Sequence, residues 1–150
     1  MTKASVEAVM SRAVCVLGRN DSLEAANSLM LRKGIRHLAI VDHGRLVGVL
    51  SERELLRASL GRAMGYGERG RSKLMQAILV KEVMSEPVIA VEPESSLEEA
   101  AGLMVEKKIG CLPVVAHGTL VGMLTTTDLL RYNWTQAPTQ PIAKVVAQFR

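Results

Sequence analysis

The chain has 150 residues and a mass of 16.3 kDa, is 48% hydrophobic and 23% charged, and carries a formal charge of +4. That is room for one ordinary domain or two very small ones sharing a core, and it is too apolar for a disordered chain and too short for a large multi-domain enzyme. No apolar run approaches the roughly 18 residues of a membrane span, and Glu7 and Arg12 interrupt the opening segment where a signal peptide needs an apolar stretch, so a soluble, cytoplasmic protein is expected.

In chain order the first feature is a repeat. Residues 6–57 align without gaps on residues 80–131 at a shift of 74, with 24 identical pairs in 52 positions. Each copy opens on Val-Met-Ser, at Val9–Ser11 and Val83–Ser85, followed by a short β-rich run, Val14–Leu17 and Val88–Val91. Asp21-Ser-Leu-Glu24 and Ser95-Ser-Leu-Glu98 read as capping boxes, with Glu at N3. Apolar residues then fall at helical spacing: Leu23, Ala26, Leu29 and Met30, matched by Leu97, Ala100, Leu103 and Met104. Two strands joined by a tight turn come next, His37–Val41 with Leu46–Leu50 and Leu112–Val115 with Leu120–Leu124. Gly44 and Gly118 supply the positive φ of the turns. A second helix closes each copy, Glu52–Leu60 and Thr126–Arg131.

Each copy is therefore β-α-β-β-α and the class is α+β. A three-stranded sheet is marginal alone. Two copies packed sheet to sheet bury both apolar faces about a pseudo-two-fold axis, with helices outside where a second chain can dock as a homodimer. The organisation expected is repeat 1 over 1–60, a linker over 61–79, repeat 2 over 80–132, and a tail over 133–150 holding Pro138, Pro141 and the amphipathic IAKVVAQF.

Charge is uneven: +6 through residue 79 and −2 beyond it, with part of the excess between Arg57 and Lys73. Such a stretch attracts phosphates, but Tyr66, Tyr132, Trp134 and Phe149 are the whole aromatic complement, too few for a base-stacking surface. It reads as a Gly-rich solvated linker, and nucleic acid is disfavoured as a partner. Cys15 and Cys111 form no paired motif and read as buried free thiols. His43 and His117 repeat just before the turn glycines without a second ligand nearby, so no metal site is expected. Gly65–Gly70 lacks the strand and helix that flank a phosphate loop, and no nucleophile–base set is evident. From spacing alone, Thr125-x-x-Asp128 and Ser51-x-x-Glu54 at the helix starts are capping arrangements.

The duplication, the paired Val-Met-Ser openings, the hairpins ending Leu46-Val-Gly48 and Leu120-Val-Gly122, and the junctions Ser51–Glu54 and Thr125–Asp128 together resemble a tandem pair of CBS domains (cystathionine beta-synthase domains), the Bateman module, over about residues 6–132. The resemblance implies two inter-repeat clefts that bind adenosine compounds such as AMP, ADP, ATP or S-adenosylmethionine, and a regulatory rather than enzymatic role. Gly122-Met-Leu-Thr-Thr-Thr-Asp128 fits the family signature, which implies that Thr125 and Asp128 hold the vicinal ribose hydroxyls. Arg36 and His37 stand where family members can reach phosphate; Arg36 could equally form a surface ion pair, with Asp128 as one partner. Ala90, Val91, Ile109 and Met123 are the candidate adenine walls, Val91 and Ile109 reading first as ordinary core. The other cleft has Ser51 and Glu54 facing Gly110 and Cys111 without a cation and is expected to be degenerate. The expectation is an adenine-nucleotide sensor, homodimeric and acting on an unidentified regulated protein. The alternative is a ligand-free interaction protein whose clefts are relics.

Overall fold

The computed structural model describes residues 4–62 and 67–136. Tyr66 and the tail segment with Pro138, Pro141 and IAKVVAQF lie outside the described residues. Repeat 1 contains α1 (Val6–Val9), β1 (Val16–Gly18), α2 (Leu23–Lys33), β2 (His37–Asp42), β3 (Arg45–Ser51) and α3 (Glu52–Arg62). After α4 (Glu68–Ala77) and a single 3-10 turn over Val80–Glu82, repeat 2 contributes α5 (Leu97–Lys107), β4 (Cys111–Ala116), β5 (Thr119–Thr125) and α6 (Thr126–Gln136). The class is α+β, as expected.

The hairpins form as the alternation and turn chemistry predict. Asp42 pairs with Arg45 and Ala116 with Thr119, leaving two-residue loops. His43 and Gly44, like His117 and Gly118, all have positive φ, the combination a right-twisted two-residue hairpin loop requires. His43 and His117 are exposed turn residues, and among the described residues no group of three His, Cys, Asp or Glu side chains could hold a metal.

The opening strands differ between the copies. β1 lies parallel to β2, held by Ala39 N–H to Cys15 O at 3.2 Å and Arg19 N–H to Val41 O at 3.1 Å. The run over Val88–Val91 is reduced to one bridge between Val91 and Val114. Pro113 stands where repeat 1 has Ala39, and Pro93 where it has Arg19, so both outer N–H donors of the ladder are missing.

The helix starts lie one residue later than the expected boxes. Ser22 and Ser96 are the N-caps, accepting from Ala25 N–H and Glu99 N–H, each at 3.1 Å, and only Ser96 with Glu99 forms the reciprocal box. Asp21 instead accepts from Gly18 N–H at 2.7 Å, and Ser95 Oγ from Glu92 N–H at 3.3 Å, so both tighten the preceding loop.

The expected solvated linker is also corrected. Residues 68–77 are helix α4, packed on α2 and α3, with Met75 and Ile78 in the core of repeat 1. Hydrophobic residues at Leu74, Met75 and Ile78 give this Arg- and Gly-rich segment a face worth burying.

The leading segments are exchanged. Val6 and Met10 pack in the core of repeat 2 with Leu97, Ala100, Met104, Leu112 and Leu124, while Val80 and Met84 pack in that of repeat 1 with Leu23, Met30, Leu38 and Leu50. Backbone pairing follows: Ser11 bridges Met123, and Ser85 bridges Val49. Between the two sheets lies a third cluster, Ala39, Cys111 and Met123, with Val14, Leu46, Val49 and Leu120 against it. Full burial of each large aliphatic side chain contributes about 2 kcal/mol.

Candidate functional site

The strand-to-helix junctions β3–α3 and β5–α6 carry the signature residues. At the second, Thr125 and Asp128 satisfy one another: Thr125 N–H donates to Asp128 Oδ2 at 2.9 Å, and Asp128 N–H donates to Thr125 Oγ1 at 3.2 Å. The carboxylate is mostly buried, and its other oxygen, Oδ1, lies 3.8 Å from Arg131 Nη1. It makes no ion pair with Arg36. At the first junction, Glu54 N–H donates to Ser51 Oγ at 3.1 Å, and Ser51 Oγ donates to Glu54 Oε1 at 3.0 Å. The extra methylene carries Glu54 Oε2 into a buried position with no hydrogen-bond partner. The capping role expected for Ser51 and Glu54 is present, and Thr125 and Asp128 carry one as well.

His37 crosses the dyad. It pairs with Ser51 in the β2–β3 ladder, yet its ring lies against repeat 2: a Cβ added at Gly110 would stand 3.4 Å from His37 Nε2 and 3.5 Å from Thr126 Oγ1. Position 110 carries a glycine where repeat 1 has Arg36, and the missing side chain makes room for the imidazole. Thr126 N–H and Oγ1–H both donate to Gly110 O, at 3.0 and 3.2 Å, which ties the head of α6 to the head of β4. The His37 pKa is lowered, first by burial and then by the neighbouring Arg36 guanidinium, with Glu52 partly offsetting them, so the ring is held neutral. Arg36 is exposed, forms no ion pair among the described residues, and lines a groove on the helical face of repeat 1.

The proposed adenine walls are divided. Ala90 is exposed, Val91 and Ile109 are half-buried against the repeat 2 core, and Met123 is buried between the sheets with its sulfur 3.8 Å from Cys111 Sγ. Burial, and secondarily the Asp128 carboxylate, pushes the Cys111 thiol up to about 12. Cys15 is half-buried, less enclosed than expected, and both thiols are free. The sequence reading missed Thr126, whose hydroxyl position is not a signature position, and Arg71, which was absorbed into the basic stretch. The lone signal for the first was the glycine at 110 opposite an arginine.

Comparison with known proteins places this geometry. A family model for the CBS domain matches residues 6–61 and 80–134. CBS domain-containing protein YhcV of Bacillus subtilis is 31% identical over 126 residues, covering 84% of this chain and 83% of YhcV. The crystal structure of AcuB from Vibrio cholerae superposes with a TM-score of 0.72 at 36% identity, covering 89% of this chain and 93% of that one. The CBS domain pair of protein MJ0100, in complex with 5′-methylthioadenosine and S-adenosyl-L-methionine, superposes with a TM-score of 0.71 at 26% identity, covering 87% and 99%. The chain spans less than half the length of several other curated relatives it matches. Among the described residues no helix is long and apolar enough to cross a membrane.

Proposed function

Because the chain belongs to the CBS-domain family, as two CBS domains in tandem, we propose that it is a cytoplasmic regulatory protein, without catalytic activity of its own, that binds an adenine nucleotide (AMP, ADP or ATP) between its repeats and reports occupancy to a regulated partner. One observation carries the reading: His37 of repeat 1 lies against Gly110 and Thr126 of repeat 2, beside the Thr125–Asp128 pair. A hydrogen-bonding ring from one repeat and a carboxylate from the other thus stand at the same junction. In this reading Asp128 exchanges part of its internal capping for two ribose hydroxyls, Thr125 adds a third contact, and His37 with Arg36 meets phosphate. Ala90, Val91, Ile109 and Met123 form the adenine wall. Both ligands of the MJ0100 pair contain adenosine, which supports the ligand class. In this reading the cleft with Ser51 and Glu54 is the degenerate one, since the Glu54 carboxylate is spent on Ser51 and a buried position.

Calorimetric titration with AMP tests the asymmetry. Asp128→Asn keeps an oxygen for the Thr125 N–H and removes the charge, and it should weaken AMP by roughly tenfold or more, since charge-assisted hydrogen bonds are the stronger class. Asp128→Ala should abolish binding, and Glu54→Ala should leave it intact. Equal losses at both junctions refute the asymmetry; no binding by wild type of any adenosine compound favours a ligand-free interaction protein.

The partner surface is proposed to include a second copy of the chain. Leu31, Leu56 and Leu60 are exposed, and the same three positions of repeat 2, Val105, Leu130 and Trp134, are exposed as well. An apolar patch repeated about a pseudo-dyad suits an isologous two-fold interface. Sedimentation should find a dimer that Leu130→Asp converts to monomer; a monomeric wild type overturns it.

A further inference from the structure

A groove of about 500 Å³ opens on the helical face of repeat 1, within the size range of small-molecule sites. Met30, Ile35 and Leu56 form its apolar wall, and Arg36, Glu52 and Arg71 its charged groups. Arg71 comes from α4, and among the described residues no equivalent helix follows α6.

Arg71 is held in place from behind. Its Nη2 donates to Ser59 Oγ at 3.1 Å, and Ser59, only 1% exposed, donates in turn to Leu56 O at 3.1 Å. Its Nε is buried with no hydrogen-bond partner. A guanidinium carries five N–H donors, and a buried donor without an acceptor is costly. Among the described residues neither Arg71 nor Arg36 forms an ion pair. A positioned, unneutralised guanidinium beside an aliphatic wall is an anion site with an apolar flank. The Glu52 carboxylate in the same groove leaves a net charge of one and disfavours multiply charged anions.

We propose that this groove binds a small amphipathic monoanion, a carboxylate with a short aliphatic chain. The carboxylate meets Arg71, with Arg36 adding charge, and the chain lies along Met30, Ile35 and Leu56. The site borders the proposed nucleotide cleft at Arg36 and lies where linker helix and repeat 1 meet, so its occupant would bind α4 to α2 and α3.

Titration of the full chain with hexanoate, followed by amide chemical shifts, tests it. Saturable shifts are expected at Gly34, Ile35 and Leu56, absent with hexanol and with inorganic phosphate. Arg71→Met keeps the aliphatic stem and should weaken hexanoate by roughly tenfold or more, while Arg71→Lys should recover part of the loss and AMP binding stays unchanged in both. No saturable shift with hexanoate overturns the proposal. So does an equal response to phosphate, which would mark a generic anion site, or loss of AMP binding in Arg71→Met, which would make the groove part of the cleft.

Discussion

At the scale of residues, the two junctions differ by one methylene and diverge in consequence. Asp128 is short enough to turn back onto the Thr125 N–H, whereas Glu54 takes the Ser51 hydroxyl on one oxygen and leaves the other buried and unpaired. His37 is the residue whose state is most exposed to pH. In the unfolded chain it titrates near its ordinary value of 6.5; in the folded protein burial and Arg36 lower that value. Above 6.5 the ring is neutral in both states and costs nothing. As pH falls below 6.5 the unfolded chain takes up a proton the folded one refuses, so stability declines until the lowered folded value is reached. Urea melts between about pH 5 and 7 should show this decline, and His37→Gln should flatten that part of the profile. Parallel profiles for the two proteins would contradict the neutral, enclosed imidazole.

At the scale of elements, what could be read from sequence depended on how local the determinant is. The hairpins were legible because β-propensity, the two-residue spacing and a glycine at the αL position all act within one hairpin. The cap register was not, because two acceptors stand side by side at each helix start and only the fold decides which caps and which braces the loop. α4 was hidden by Arg69, Gly70 and Arg71, which mask an apolar face that matters only once α2 and α3 lie beneath it. In the candidate site, Thr125 and Asp128 were legible as a local signature, while the approach of His37 to Gly110 is a contact between repeats that no local pattern encodes.

The helix ends carry a prediction of their own. α2 stops at Gly34 with φ 63°, and α5 stops at Lys108 with φ 55°, a left-handed conformation that costs an L side chain roughly 1–2 kcal/mol. Lys108 is exposed, so little packing is lost on its removal. Lys108→Gly should therefore stabilise by about 0.5–1 kcal/mol after the greater chain entropy of glycine is counted, raising Tm by roughly 2 °C. A destabilised variant in calorimetry would mean the lysine makes a contact that outweighs its strain.

At the scale of the whole molecule, the exchange of leading segments makes two small repeats one folding unit. Each core is completed by a methionine from before the other repeat, Met10 in one and Met84 in the other, and each methionine lies over a strand glycine, Gly122 and Gly48. The two glycines are not equivalent. An added Cβ at Gly48 collides with the Met84 side chain, which can move. At Gly122 it meets Met10 Sδ at 2.5 Å and also the Ser11 carbonyl oxygen at 3.0 Å, and that oxygen is fixed by accepting the Met123 N–H at 2.9 Å. Both Gly→Ala changes should destabilise by about 1–3 kcal/mol, the usual range for overpacking, with Gly122→Ala the worse. The pairwise couplings separate side-chain from backbone crowding: Met84→Ala should relieve most of the cost of Gly48→Ala, whereas Met10→Ala should relieve only part of that of Gly122→Ala. Denaturant melts of the two cycles measure this, and each variant should still unfold in a single transition, since neither core is complete without the other repeat's segment. Two separated transitions, or equal relief in both cycles, would overturn the account of exchanged segments locking the pair.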